Sequence, residues 1–130
     1  MLKLILTVAA ALTPSLSFAA CDDATIDALN QRIAEVNRRM VEANESTAAI
    51  GRKIVAANEK VDTFNQLRDD ALKAGSDAED NQKAIAAAQL KNDIARERLE
   101  IENERAVIDR EWINISREQN EIDRLTTSCK

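Results

Sequence analysis

The chain has no histidine and no tyrosine, and among its 130 residues it has one proline, two glycines, two cysteines, two phenylalanines and one tryptophan. Histidine is the commonest general base and metal ligand, so its absence argues against most catalytic and metal sites. Strands need β-branched and aromatic residues punctuated by glycine and proline, and that punctuation is missing. We therefore predict an all-α protein that is not an enzyme and holds no cofactor or metal.

Basic residues are too few and too scattered for a nucleic-acid-binding protein. The chain has 23 acidic and 18 basic residues, which gives a net charge of −5. Nucleic-acid-binding proteins carry basic patches, often with aromatic side chains interleaved for base stacking. No nucleic-acid partner is expected.

The N-terminal residues have the order of a bacterial secretory signal peptide. A short basic start precedes an apolar run, residues 4–12, that is too short to span a bilayer. Pro14 then breaks the run, and small residues precede a cleavage position after Ala19. We expect residues 1–19 to be removed and the mature protein, residues 20–130, to be periplasmic or secreted.

Both cysteines lie near the ends of the mature chain. In an oxidising compartment, Cys21 and Cys129 are predicted to form a disulfide. The alternatives are a redox-active or intermolecular cysteine pair and a lipoprotein. A lipoprotein is considered because Cys21 follows Phe18-Ala19-Ala20, and a lipid anchor there would leave Cys129 unpaired. Lipoprotein cleavage sites normally have an aliphatic residue in place of Phe18, which favours the disulfide.

Residues 23–74 carry six uninterrupted heptad repeats, counted from Ile26. Positions a and d are apolar throughout, except for Thr47. This period is typical of a coiled-coil helix. The a residues are Ile26, Ile33, Met40, Thr47, Ile54 and Val61, and the d residues are Leu29, Val36, Ala43, Ile50, Ala57 and Phe64.

Residues 77–128 carry a second heptad pattern with only half a core. One isoleucine seam recurs every seven residues, and Cys129 occupies the next place in it. The neighbouring core positions hold mostly polar residues, whose long stems can cover apolar surface while their heads reach water. The seam is Ile94, Ile101, Ile108, Ile115 and Ile122, and the polar-rich row is Lys91, Arg98, Arg105, Trp112 and Gln119.

Gly75 lies midway between the two cysteines. Glycine suits the left-handed residue that ends a helix, and Ser76 with Glu79 has the pattern of a capping box that opens the next one. We predict a single domain with a turn at Gly75 and Ser76, arm one at 23–74 and arm two at 77–128. The fold is then a long antiparallel two-helix coiled-coil hairpin whose ends the disulfide ties.

Opposite charges also mirror each other around Gly75. An antiparallel pair of helices brings the g positions of the two arms together. Each exposed ion pair contributes well under ~1 kcal/mol, so such pairs select the register more than they stabilise it. Residues equidistant from Gly75 form three pairs: Arg32 with Glu118, Arg39 with Glu111, and Lys53 with Glu97.

Apolar residues off the main seam form a second stripe. Two helices bury only one stripe each, so an isolated hairpin is weakly stable. We interpret the second stripe as a partner face, most simply for self-association into a four-helix bundle; the alternative is ordinary solvent-facing apolar residues. This partner face comprises Val41, Ala48, Gly51, Val55, Leu99, Ala106 and Ile113.

These patterns predict a class of role. We expect a non-enzymatic periplasmic or secreted protein that acts as a binding, scaffold or chaperone-like protein through its helical faces, with a protein partner and as a homo-oligomer. The alternatives are an envelope lipoprotein anchored at Cys21 and a secreted inhibitor or effector of another protein. Direct membrane insertion is not expected, because the arms are acidic and charged on several faces.

Overall fold

A computed structural model describes residues 21–73 and 78–129. Apart from Cys21, Asp22 and Cys129, the described residues are helical, and none of them is in a strand: helix α1, Asp23–Lys73, is followed by helix α2, Ala78–Ser128. Each helix has 51 residues, and the two pack against each other. The predicted all-α fold of two packed helices is confirmed.

Several predicted features lie outside the described residues. They include the signal peptide, residues 1–19, and the turn residues Gly75 and Ser76. The first predicted arm extends to residue 74, one residue past the end of α1, and the second begins at residue 77, one residue before the start of α2. Residues 74 and 77 are also not described. Glu79 belongs to α2, but its side chain is outside the description.

Helix α1 begins at a capped end. The backbone N–H of Thr25 donates to Asp22 Oδ1 at 2.8 Å, which satisfies one of the N–H groups that a helix start leaves open. The first helical bond runs from the N–H of Ile26 to the carbonyl of Asp22 at 3.1 Å. Hydrogen bonding by Thr25, through its side chain and then its backbone, lowers the pKa of Asp22.

Contacts divide the chain into two compact units. Among the described residues, unit 1 comprises 21–45 and 109–129, and unit 2 comprises 46–73 and 78–108. In each unit a segment of α1 packs against a segment of α2. The chemistry of each unit therefore depends on side chains from both helices.

The core of unit 1 joins heptad positions of both helices. Ile33 and Val36 of α1 and Ile115 and Ile122 of α2 are each only 1% exposed. Half-buried Trp112 packs against this cluster. The cluster is completed by Met40 and Ala43. The predicted a and d residues of the first arm thus meet the isoleucine seam of the second.

The core cluster of unit 2 has fewer members than that of unit 1, and its isoleucines are less completely buried. Ile50, Ala57 and Ile101 form its cluster, and the partly buried Ile54 and Ile108 pack against it. The isoleucine seam continues through buried residues earlier in α2. The polar row beside that seam stays exposed, as expected for half a core. The buried extensions are Ile94 and Ala87, and the exposed row is Lys91, Arg98 and Arg105.

Cys21 and Cys129 form a disulfide in unit 1. Their Cα atoms are 5.1 Å apart, a separation that suits the bond. Cys129 follows Ile122 by one heptad and is only 2% exposed, so the bond lies at the end of the apolar seam. The bond joins residues 108 positions apart, and the chain-entropy model gives about 4–5 kcal/mol for a loop of that order.

Replacing Ile115 by alanine is expected to lower the free energy of unfolding by about 2–5 kcal/mol, because that side chain is 1% exposed in a packed core. Ile85→Ala is the matched control. It removes the same atoms from α2, but Ile85 is 58% exposed, so the expected change is within about 0.5 kcal/mol. Urea unfolding followed by circular dichroism measures both. Equal losses would contradict the assignment of Ile115 to the core.

Candidate functional site

Ion pairs in unit 1 join the two helices. Arg32 Nη2 lies 2.6 Å from Glu118 Oε1 and 3.1 Å from Glu121 Oε2, and Arg39 Nε lies 2.7 Å from Glu111 Oε1. The hydrogen bonds to these carboxylates raise the pKa of both arginines. All five side chains remain partly exposed, so each pair adds little to stability. The structure brings together the residues of both predicted pairs in this unit.

In unit 2, Lys53 does not meet its predicted partner Glu97. The Lys53 ammonium donates to Glu104 and lies 3.5 Å from Glu100 Oε1, whereas Glu97 accepts from Lys60. The prediction pairs residues equidistant from Gly75, and that count holds for Arg32 and Arg39 in unit 1. In unit 2 each lysine instead meets the glutamate one heptad later in α2 than the count gives. The long, flexible lysine stem reaches more than one turn of the facing helix, as the contacts of Lys53 with Glu100 and Glu104 show, so the count does not decide which glutamate it meets.

The large apolar side chains of the predicted partner face are exposed in each unit. In unit 1, Val41 and Ile113 are 57% and 58% exposed. In unit 2, Val55 and Leu99 are both 59% exposed. Because these side chains are a little more than half exposed, each could gain roughly 1–2 kcal/mol from complete burial. The smaller members of the face in unit 2, Ala48 and Ala106, are exposed as well.

Gly51 is half-buried and lies within α1 of unit 2. Its φ is not positive, and a Cβ atom built on it would have no described atom within 4 Å outside the neighbouring helix backbone. A glycine in a helix interior costs about 0.8–1 kcal/mol relative to alanine. Neither its backbone conformation nor a close neighbour among the described residues explains that cost.

An open groove of about 570 Å³ lies on unit 2. Its large apolar lining residues are Val61 and Phe64 of α1 and Ile94 and Leu99 of α2. The polar residues in the half core of the second arm are the sequence signal for this groove. The sequence alone does not indicate that Phe64 remains half-buried. The charged residues that line the groove are Lys91, Arg98 and Glu102.

Within the described part of the chain, no three cysteine, aspartate or glutamate side chains are grouped so that they could hold a metal ion. The described helices also contain no segment that is both long and apolar enough to cross a bilayer. The surfaces that remain to be explained are the exposed apolar side chains and the groove of unit 2.

Glutamine in place of Glu104 is expected to lower the pKa of Lys53. That pKa lies above the usual 10.5, chiefly because Glu104 accepts a hydrogen bond from the ammonium. Glu97→Gln, one heptad away, is the matched control and should leave the pKa unchanged. Titration of labelled lysine side chains by NMR measures both.

The direction of the shift also fixes its effect on stability. Because the pKa of Lys53 is higher in the folded protein, its stabilising effect is complete below the unfolded pKa and is lost as the pH rises through the folded pKa. A Lys53 pKa that fell in Glu97→Gln and not in Glu104→Gln would contradict the contact with Glu104.

Comparisons with protein-family models, with curated proteins and with solved structures returned no significant match for this chain. Its function is therefore inferred from its own residues and surfaces.

Proposed function

We propose that the protein is a non-enzymatic binding or scaffold protein of the periplasm or the extracellular space, which acts through its exposed helical faces. The observation that carries this proposal is the exposure of Val55 and Leu99, each 59% exposed in unit 2. These residues occupy the same heptad position, b, in the two arms. Because unit 2 does not bury these side chains itself, a partner that covered them would stabilise the complex through hydrophobic burial.

The helices that carry these faces are proposed to run antiparallel as a coiled coil. In unit 1, Arg32 pairs with Glu118, whereas Arg39, later in α1, pairs with Glu111, earlier in α2. The ion pairs of unit 2 follow the same reversed order. They join g positions, which antiparallel coiled coils bring together, and the buried a and d residues support the same arrangement.

Export without a lipid anchor is part of the proposal. Residues 1–19 have the order of a signal peptide, and disulfides persist in oxidising compartments. Cys21 is bonded to Cys129, and a lipid-modified Cys21 would have no thiol available for that bond. The disulfide therefore favours a periplasmic or secreted form over an envelope lipoprotein.

The simplest partner is a second copy of this chain. Two hairpins that each expose an apolar stripe can bury these stripes in a four-helix bundle, in which every helix gains a second packed face. In unit 2, exposed Ala48 and Ala106 are small enough to let helices approach closely, since interaxial distance depends on the side chains at the contact. The open space beside Gly51 fits the same close approach.

Glutamates introduced together at Ala48 and Ala106 are expected to convert a self-associated protein into a monomer, because charges would be buried without partners. Ala56→Glu with Asn103→Glu is the matched control: it adds the same two charges to exposed positions of unit 2 outside the partner face. Sedimentation velocity measures the oligomeric state. A monomeric wild type, or an oligomer that survives Ala48→Glu with Ala106→Glu, would contradict self-association through this face.

A further inference from the structure

Unit 2 leaves part of its own apolar seam uncovered. Val61 and Phe64 occupy core heptad positions of α1 but are only half-buried. The α2 residues beside them, Lys91 and Arg98, occupy core positions too, yet both are exposed. The consequence is the groove of about 570 Å³, which is large enough for several apolar side chains of a ligand.

Two cations, Lys91 and Arg98, line this groove. Lys53 and Lys60 are held by carboxylates elsewhere in unit 2, whereas Lys91 and Arg98 make no ion pair with a described residue. Glu102 is the acidic member of the lining, so the charged lining residues carry a net positive charge. This local sign is opposite to that of the whole chain, whose net charge is −5.

We propose that the groove of unit 2 binds an acidic amphipathic helix of a partner protein. The apolar side chains of this helix would cover Val61, Phe64 and Leu99, and its carboxylates would pair with Lys91 and Arg98. The inference rests on the proposed function and specifies the chemistry of the partner. Helices that dock in grooves present apolar residues at i, i+3, i+4 and i+7.

The spacing of the cations favours a helical ligand. Lys91 and Arg98 are one heptad apart on α2, about 10.5 Å along its axis. In a second helix with one carboxylate in each heptad, successive carboxylates are the same distance apart, so both cations can be paired at once. Arg105 occupies the following position of the same row and is also exposed, which extends the match beyond the groove.

The same cations exclude other helices. A basic helix in the groove would place like charges beside Lys91 and Arg98, and a neutral helix would offer them no carboxylate partners, so both should bind less tightly than an acidic helix. The apolar lining supplies attraction and the cations supply selectivity. Leu99 lines the groove and also belongs to the partner face, so a ligand in the groove would lie next to the exposed apolar stripe of unit 2.

Two synthetic three-heptad peptides test the proposal against the full-length oxidised protein. Both have leucine at a and d; one has glutamate at e and g, and the other has lysine there. Isothermal titration calorimetry is expected to show binding of the glutamate peptide that is roughly tenfold or more tighter than binding of the lysine peptide, and weaker at higher salt. The double variant Lys91→Glu with Arg98→Glu should reverse this preference.

The matched control is Arg110→Glu with Arg117→Glu, which reverses two exposed cations of unit 1 that do not line the groove. It should retain the preference for the glutamate peptide. Circular dichroism confirms that each variant is folded. Failure of the wild type to bind either peptide, equal affinity for both, or reversal of preference by the control variant would overturn the proposal.

Sedimentation distinguishes the failure of this inference from the failure of the proposed function. If neither peptide binds but Ala48→Glu with Ala106→Glu abolishes self-association, the groove assignment is wrong and the partner face stands. If Lys91→Glu with Arg98→Glu itself abolishes self-association, a second copy occupies the groove, which overturns the assignment of an acidic helix from another protein.

Discussion

Burial of one narrow apolar seam holds the two helices together. Within unit 1 the seam is nearly closed, with Ile33, Ile115 and Ile122 each 1% exposed, and the disulfide lies at its end. Long helices with a single buried stripe gain little from other tertiary contacts. Constraint of the unfolded chain by the disulfide therefore contributes about as much to stability as one or two fully buried isoleucine side chains.

Charges in this molecule have two different roles. Arg32 and Arg39 in unit 1, like Lys53 in unit 2, are satisfied by carboxylates of the other helix, and such partly exposed pairs select a register more than they stabilise it. Lys91 and Arg98 stand instead where apolar core residues would close the seam of unit 2. They weaken that part of the core, and they leave an apolar groove with a positive rim available to another molecule.

The parts of the fold that depend on spacing were predictable from sequence. Isoleucines seven residues apart lie on one face of a helix, so the seam and the place of Cys129 in it followed directly. The partner of Lys53 did not follow, because its flexible stem reaches more than one turn of the facing helix and the count from Gly75 does not choose among the glutamates there. The groove was also not predicted: polar residues such as Lys91 indicated half a core, but the exposed fraction of Phe64 depends on the packed structure.

The central claim is that one chain pairs its own two helices and closes them with its own disulfide. Reduced, unfolded protein grown on ¹⁴N and on ¹⁵N can be mixed in equal amounts, refolded and oxidised, and then digested with trypsin. Mass spectrometry of the peptide pair containing Cys21 and Cys129 should show only species labelled uniformly with one isotope. Mixed species at statistical abundance would show that the bond joins two chains and would contradict the account.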